Sequence, residues 1–152
     1  MPNTTIQPYH GSYLMPSLEH ATVADVMHPG IISCETDTTM TEMARIMATH
    51  HVHCVAIMHP AQGQSGAPYL WGIVSDLDLM RASISPSEEG TAGAVAQQPT
   101  ISVKPTVPLR DAAEVMLRNK TSHVVVIHPE TLRPIGVLST LDIAGVVAWG
   151  EA

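Results

Sequence analysis

Gly72-Ile73-Val74-Ser75-Asp76-Leu77-Asp78 decides how this chain is read. Its first residues are small or apolar and suit a buried strand. A serine and two aspartates then suit the start of a helix. The pattern returns as Gly136-Val137-Leu138-Ser139-Thr140-Leu141-Asp142. Gly-x-x-Ser-x-x-Asp thus occurs twice, each time where an apolar strand runs into a helix. Such a corner points hydroxyl and backbone N–H groups at one spot, which suits an anion or a ribose. Serine and aspartate also cap helices whatever binds nearby, so capping is the competing reading.

Working outward, residues 69–75 read as a strand and 76–84 as a helix. Upstream, Thr39-x-x-Glu42 has the spacing of a capping box, and Met40, Met43, Ala44 and Met47 fall on one helical face. That methionine stripe belongs to a core rather than to a cofactor box. Residues 53–58 read as a buried strand and 60–68 as a loop. The same order follows in the second half. Leu109, Ala112, Ala113 and Met116 answer the methionine face at a constant offset, and residues 123–127 answer 53–57. The register changes only in the loop 128–134, which is shorter than its counterpart. This is an internal duplication with the length difference confined to a loop.

Each half opens with a short helix and a short strand. These are residues 22–27, stopped by Pro29-Gly30, then 31–34, and in the second half 92–96 and 100–103. Pro108 is expected in the first helical turn, where no N–H donor is needed. The organisation is therefore an irregular arm over 1–21, with an extended piece near Tyr13-Leu14-Met15, a first repeat over 22–84, a linker over 85–90, a second repeat over 91–149 and a tail over 150–152. One half of ~60 residues is marginal alone. Two halves packed sheet to sheet about a pseudo-two-fold axis bury both apolar faces and leave grooves between them as ligand sites. The fold class is α/β.

Composition narrows the function. The chain has 152 residues, of which 45% are hydrophobic, so a core is available and wholesale disorder is not expected. The net charge is −7 with seven basic residues, which argues against nucleic acid and against an anionic membrane surface. No apolar run reaches the length of a membrane span, and residues 1–20 lack the basic start and apolar stretch of a secretory signal. Cys34 and Cys54 lie in apolar runs and read as buried thiols in a reducing, cytoplasmic setting.

Over residues 22–149 the order of elements and both Ser-x-x-Asp signatures resemble a tandem CBS-domain pair, also called a Bateman module. The resemblance implies two β-α-β-β-α units, a disk-like homodimer and clefts for adenosine-containing ligands such as AMP, ADP, ATP or S-adenosylmethionine. It implies that Asp78 and Asp142 bond ribose hydroxyls, which an acceptor-only carboxylate suits, and that Ser75 and Ser139 face the α-phosphate or its equivalent. It implies that adenine lies against Ile32, Ser33, Val55 and Ala56 in one cleft, and against Ile101, Ser102, Val125 and Val126 in the other. His53 and His123 match histidines that touch phosphates in members like the γ subunit of AMP-activated kinase. The arginine that follows there is replaced by Cys54 and Val124. Asp76 stands where a basic residue would help, leaving Arg81, Arg118 and Lys120 as the basic residues nearest a phosphate. Highly charged ligands are thereby disfavoured against AMP, ADP or a weakly charged adenosyl compound.

The expected function is a stand-alone regulatory sensor of an adenosyl ligand, with no required cofactor. The alternative is an oligomerisation or partner-docking module with unoccupied clefts and an unidentified protein partner. Residues 141–149 are apolar on nearly every side, which suits a homodimer interface. His50, His51, His53 and His59 are the densest group of metal-ligating residues, but His50 and His51 are adjacent at a helix end and cannot readily share an ion. No metal site is expected. The sequence has no Gly-x-Ser-x-Gly, Gly-x-x-x-x-Gly-Lys or His-Glu-x-x-His motif, so no catalytic residue is assigned.

Overall fold

The computed structural model describes residues 16–60, 66–85, 90–96 and 100–150. The extended piece near Tyr13, most of the linker, the tip of the first long loop and the end of the tail lie outside the described residues. In order, the elements are α1 (Val23–Val26), β1 (His28–Pro29), β2 (Ser33–Glu35), α2 (Met40–His50), β3 (Cys54–His59), β4 (Tyr69–Ser75) and α3 (Asp76–Ile84) in the first half. The second half holds α4 (Ala92–Val95), β5 (Ser102–Val103), α5 (Leu109–Asn119), β6 (His123–Ile127), β7 (Pro134–Ser139) and α6 (Thr140–Trp149).

Two sheets form, in the orders β2-β3-β4 and β1-β7-β6-β5. Each contains a parallel pair, β2 with β3 or β5 with β6, and an antiparallel pair, β3 with β4 or β6 with β7. Both antiparallel pairs slip register at the matching place, between Ile57 and Met58 and between Val126 and Ile127, which corrects the expected alignment by one residue: Val126 answers Ile57, and His123 answers Cys54 rather than His53. The duplication therefore extends to an irregularity. Consecutive residues Cys54 to Ile57 and Val124 to Val126 are all buried. Since neighbouring side chains point to opposite faces, these strands are covered on both sides, as in two repeats packed sheet to sheet.

The short leading helices are exchanged. Val23 and Val26 of α1 pack into the core of the second half, among Leu109, Met116, Val124 and Leu138. Ala92 of α4 packs into the core of the first half, among Met43, Val55, Ile57 and Val74. The backbone repeats the exchange bond for bond. Val23 and Ala24 donate N–H bonds to the carbonyls of Val107 and Pro105, and Leu109 donates to Ala21. Ala92 and Gly93 donate to Thr38 and Thr36, and Met40 donates to Gly90. β1 crosses as well. It pairs antiparallel with β7, His28 opposite Val137 and Pro29 opposite Gly136. A Cβ on Gly136 would stand 2.5 Å from the His28 carbonyl oxygen, so this approach needs glycine.

Local expectations shift in three places. The first strand begins at Ser33, so Ile31 and Ile32 are connecting backbone. Pro108 is the N-cap of α5, one residue before the helix proper. His53 precedes β3 because its carbonyl accepts from the Asp76 N–H at the α3 start. The methionine stripe lies inward, with Met43 and Met47 buried and matched by Leu109, Ala112 and Met116. α3 and α6 each leave apolar side chains in solvent. These are Leu77, Met80 and Ile84 on the first, and Leu141, Val147 and Trp149 on the second.

Candidate functional site

Both Ser-x-x-Asp corners form reciprocal capping boxes. Ser139 Oγ accepts from the Asp142 N–H at 3.3 Å. Asp142 Oδ2 accepts from the Ser139 N–H at 2.8 Å and from its hydroxyl at 3.0 Å. Ser75 and Asp78 do the same at 3.1, 2.9 and 2.9 Å. Strand extension sets the serine backbone for the cap, and the aspartate three residues on returns to it. Capping and ligand binding are thus compatible readings. One carboxylate oxygen closes the box, and Oδ1 is turned elsewhere.

Each Oδ1 meets a basic side chain. Asp142 Oδ1 lies 2.9 Å from Nδ1 of His28, which reaches over from β1 of the other repeat. The aspartate is 6% exposed and the histidine 77%, so the carboxylate is fixed and the imidazole is the part able to leave. Asp78 Oδ1 accepts from Arg81 Nη1 of its own helix at 3.3 Å.

The Asp142 corner opens into a mostly apolar cleft of about 830 Å³. One side is the connection after β1, with His28, Pro29, Gly30, Ile31 and Ile32. Gly30 turns that connection at φ +79° and donates to the Ile135 carbonyl at 2.8 Å. A second side is the turn from α2 into β3, with His51, Val52, His53 and Cys54. His51 ends α2 in the left-handed region, at φ 52°. The third side comes from the second repeat, with His123, Val137, Ser139, Thr140, Leu141 and Asp142. No lysine or arginine is among these lining residues.

His53 and His123 stack across the seam between the repeats, with ring centroids 6.4 Å apart. His53 Nδ1 is 2.8 Å from Asp76 Oδ2, and that hydrogen bond is the main cause holding the Asp76 carboxyl below its ordinary range. Burial pushes the His123 imidazole below its ordinary value, against the pull of Asp76 and with the repulsion of His53. Cys54 is pushed up to about 12 by burial, with Asp76 adding to it, so its thiol is an inert wall.

Of the residues singled out from sequence, this cleft gathers Ile32, His53, His123, Ser139 and Asp142. Ile32 therefore faces the signature of the opposite repeat. Val55, Ala56, Val125 and Val126 do not line this cleft. They are 0% exposed and present no surface to a ligand. They lie in strands covered on both faces, whereas the connections just before β2 and β3 line the opening. Ser33 and Ser102 are exposed, beside Ala56 and Val125 in the sheets. Ser75 and Asp78 form the corresponding corner of the first repeat, and neither they nor Ile101 line this cleft. Sequence reasoning missed His28 and Gly30 as cleft residues and weighed His51 only as a metal ligand. Only the Pro-Gly break at Pro29-Gly30 hinted that a turn there served a purpose. Among the described residues no cluster of three or more His, Cys, Asp or Glu has the arrangement of a metal site, and no helix is long and apolar enough to cross a membrane.

Two intertwined repeats with a cleft across their seam, walled by a helix-capping aspartate, define a paired-repeat module. The family model described as CBS domain matches residues 23–85 and 92–148, and the chain belongs to that family. Among solved structures, it is similar to the CBS domain pair of protein MJ0100 in complex with 5′-methylthioadenosine and S-adenosyl-L-methionine. That match has 20% identity and a TM-score of 0.72 over 84% of this chain and 96% of that one. It is similar to the CBS domain protein PAE2072 from Pyrobaculum aerophilum complexed with AMP, at 25% identity and TM-score 0.70 over 84% and 98%. Hypoxic Response Protein I with two coordinated zinc ions is also similar, at 23% identity and TM-score 0.65 over 82% and 97%. No curated protein matches the sequence.

Proposed function

We propose that this chain is a regulatory module that binds an adenosine-containing small molecule in the clefts between its repeats, 22–84 and 91–149. The observation that carries the reading is Asp142, a buried carboxylate held by its cap, with Oδ1 available once His28 withdraws. It would accept both ribose hydroxyls, with the base against the backbone at Ile31 and Ile32. The cleft volume lies within the ~300–1,000 Å³ common for small-molecule sites. The AMP and methylthioadenosine complexes of similar domain pairs support the same chemistry. The lining offers imidazoles but neither lysine nor arginine, which favours adenosine compounds with one phosphate or none over ADP and ATP. No catalytic step is assigned to the site.

Calorimetry against AMP, ADP, ATP, methylthioadenosine, S-adenosylmethionine and NAD tests the reading. Binding is expected for at least one of the weakly charged compounds, and Asp142→Ala should abolish the site it walls. Absence of heat with every compound at millimolar concentration would sink the proposal. A signal can pass onward only if the ligand binds two arrangements of the repeats with different affinity. The pairing of His28 with Asp142, which joins the repeats across the site, is the natural point of difference.

A second proposal concerns assembly. The exposed apolar residues of α3 and α6 suit a homodimer built through these helices. The occupied-cleft and dimer readings are compatible. With empty clefts, the same faces would leave a docking or oligomerisation module.

A further inference from the structure

We infer that His28 is a built-in competitor for the Asp142 cleft: it holds the carboxylate that a ribose needs, and it holds it harder once protonated, so that acid closes the site to uncharged adenosyl ligands. This names the regulation of the cleft proposed above and rests on that reading.

The fold is arranged to deliver His28. Asp78 Oδ1 is engaged within its own helix by Arg81, three residues on. The corresponding place on α6 holds Gly145, and the last turn of α6 has no basic residue. The basic group that meets Asp142 Oδ1 comes instead from the other repeat, as His28 Nδ1 at 2.9 Å. β1 carries it there by pairing with β7 through His28 and Pro29. Gly136 admits the His28 carbonyl where a Cβ would collide, and the Gly30 N–H fastens the following turn to the Ile135 carbonyl. Asp142 is nearly buried and clamped by its cap, so imidazole and ligand contend for one fixed oxygen.

The sign of the pH effect follows from the donor. Nδ1 must carry a hydrogen to bond Oδ1. A neutral imidazole does so in only one of its two tautomers, whereas the imidazolium donates from both nitrogens and adds its charge. Protonation therefore favours the closed cleft, over the interval in which imidazoles change charge. A ribose hydroxyl takes Oδ1 only after His28 has left for solvent, where its proton is no longer held by the carboxylate. The other titratable groups of the wall are His51, His53 and Cys54 from the turn into β3 and His123 from β6, with Asp76 behind His53. They act on the cleft from a distance, and the hydrogen bond that a ribose must replace is the one from His28.

The experiment is titration calorimetry of the whole chain with adenosine and with methylthioadenosine, between about pH 8 and about pH 6, the range that spans imidazole titration. Neither compound changes charge there, so a pH dependence belongs to the protein. Affinity should fall about threefold as the pH falls, inside the limit of tenfold per pH unit that one proton sets. Repeats in buffers of different ionisation heat should show net proton release on binding. His28→Gln keeps an uncharged donor and should lose the slope, while His28→Ala should raise affinity more at the acid end than at the alkaline end. An affinity that is flat, or that rises as the pH falls, overturns the inference and leaves the adenosyl reading standing. A slope that survives in His28→Gln overturns it too, as does weaker binding by His28→Ala, which would make His28 a ligand contact. Should the variants fold poorly, the buffer heats of the unaltered chain decide, and binding without proton release overturns the inference. If only charged adenosyl compounds bind, this inference alone fails; if none binds, both readings fall.

Discussion

At the scale of single residues, the informative groups each satisfy two demands. Ser139 and Asp142 close a helix start with one carboxylate oxygen, and the other carboxylate oxygen meets His28 at the cleft. Ser139→Ala should therefore cost about 1 kcal/mol of stability through removal of the cap, read as a lower denaturant midpoint, before any effect on binding is considered. His28 competes for Oδ1, so His28→Ala should tighten adenosine binding several-fold in calorimetry. Weaker binding would instead make His28 a ligand contact. Acid should loosen the fold at the seam. His123 is shifted below its ordinary value of 6.5. A histidine depressed by folding contributes stability above its unfolded pKa, and that contribution is lost as pH falls through the lower folded value. Asp76, shifted below its ordinary 3.8, has the same sign at lower pH. Thermal midpoints of the ligand-free protein should thus fall from pH 7 towards pH 5, and His123→Gln should flatten the upper part of that decline.

At the scale of elements, the parts written as periodic patterns were legible in the sequence. β4 and α3 fall over residues 69–75 and 76–84, as the run from Tyr69 to Ile84 implies, because an apolar run, a capping serine and a helix start occur there together. The methionine stripe and its echo at Leu109 led to the duplication and to the inward faces of α2 and α5. The exchange of α1 and α4 was not legible. Four-residue helices have too few turns to show a period, and their place is set by partners such as Val107 and Thr38 that are remote in sequence. The cleft was half legible. Ser139 and Asp142 advertise a helix start, but Gly30, His28 and His51 are recruited by turns whose direction only packing decides. Val55 and Val125 entered the site through the family resemblance, while the continuous apolar runs around them mark strands covered on both faces. The crossing of β1 over β7 gives a sharp test. Gly136→Ala would place a methyl against the His28 carbonyl, and overpacking of this kind typically costs about 1–3 kcal/mol. The denaturant midpoint should fall accordingly, and His28 should swing away from Asp142; a neutral substitution would mean that β1 is held elsewhere.

At the scale of the whole molecule, two features govern behaviour. The exposed apolar faces of α3 and α6 make the chain a candidate for self-association. Sedimentation should show a dimer, and Ile84→Lys combined with Leu141→Lys should return a monomer, while a native monomer would remove that proposal. The second feature is the mutual completion of the cores. Each repeat borrows a leading helix that the other repeat supplies with its binding groove. Each half's core includes the leading helix of the other, so a chain divided within residues 86–89 should yield two fragments that fold only when mixed.

That exchange also sets a clock on synthesis. When the first repeat leaves the ribosome, α1 and β1 have nothing to settle on, because β7 and the Leu109 core are still unmade. Ala92, which seals the first core, arrives only after the linker. The first core can therefore close once Ala92 is made, whereas α1 and β1 wait with apolar surface showing until β7 is complete. The seam around the cleft is accordingly among the last things to close, so a small molecule of the kind proposed would find its site only in the completed fold.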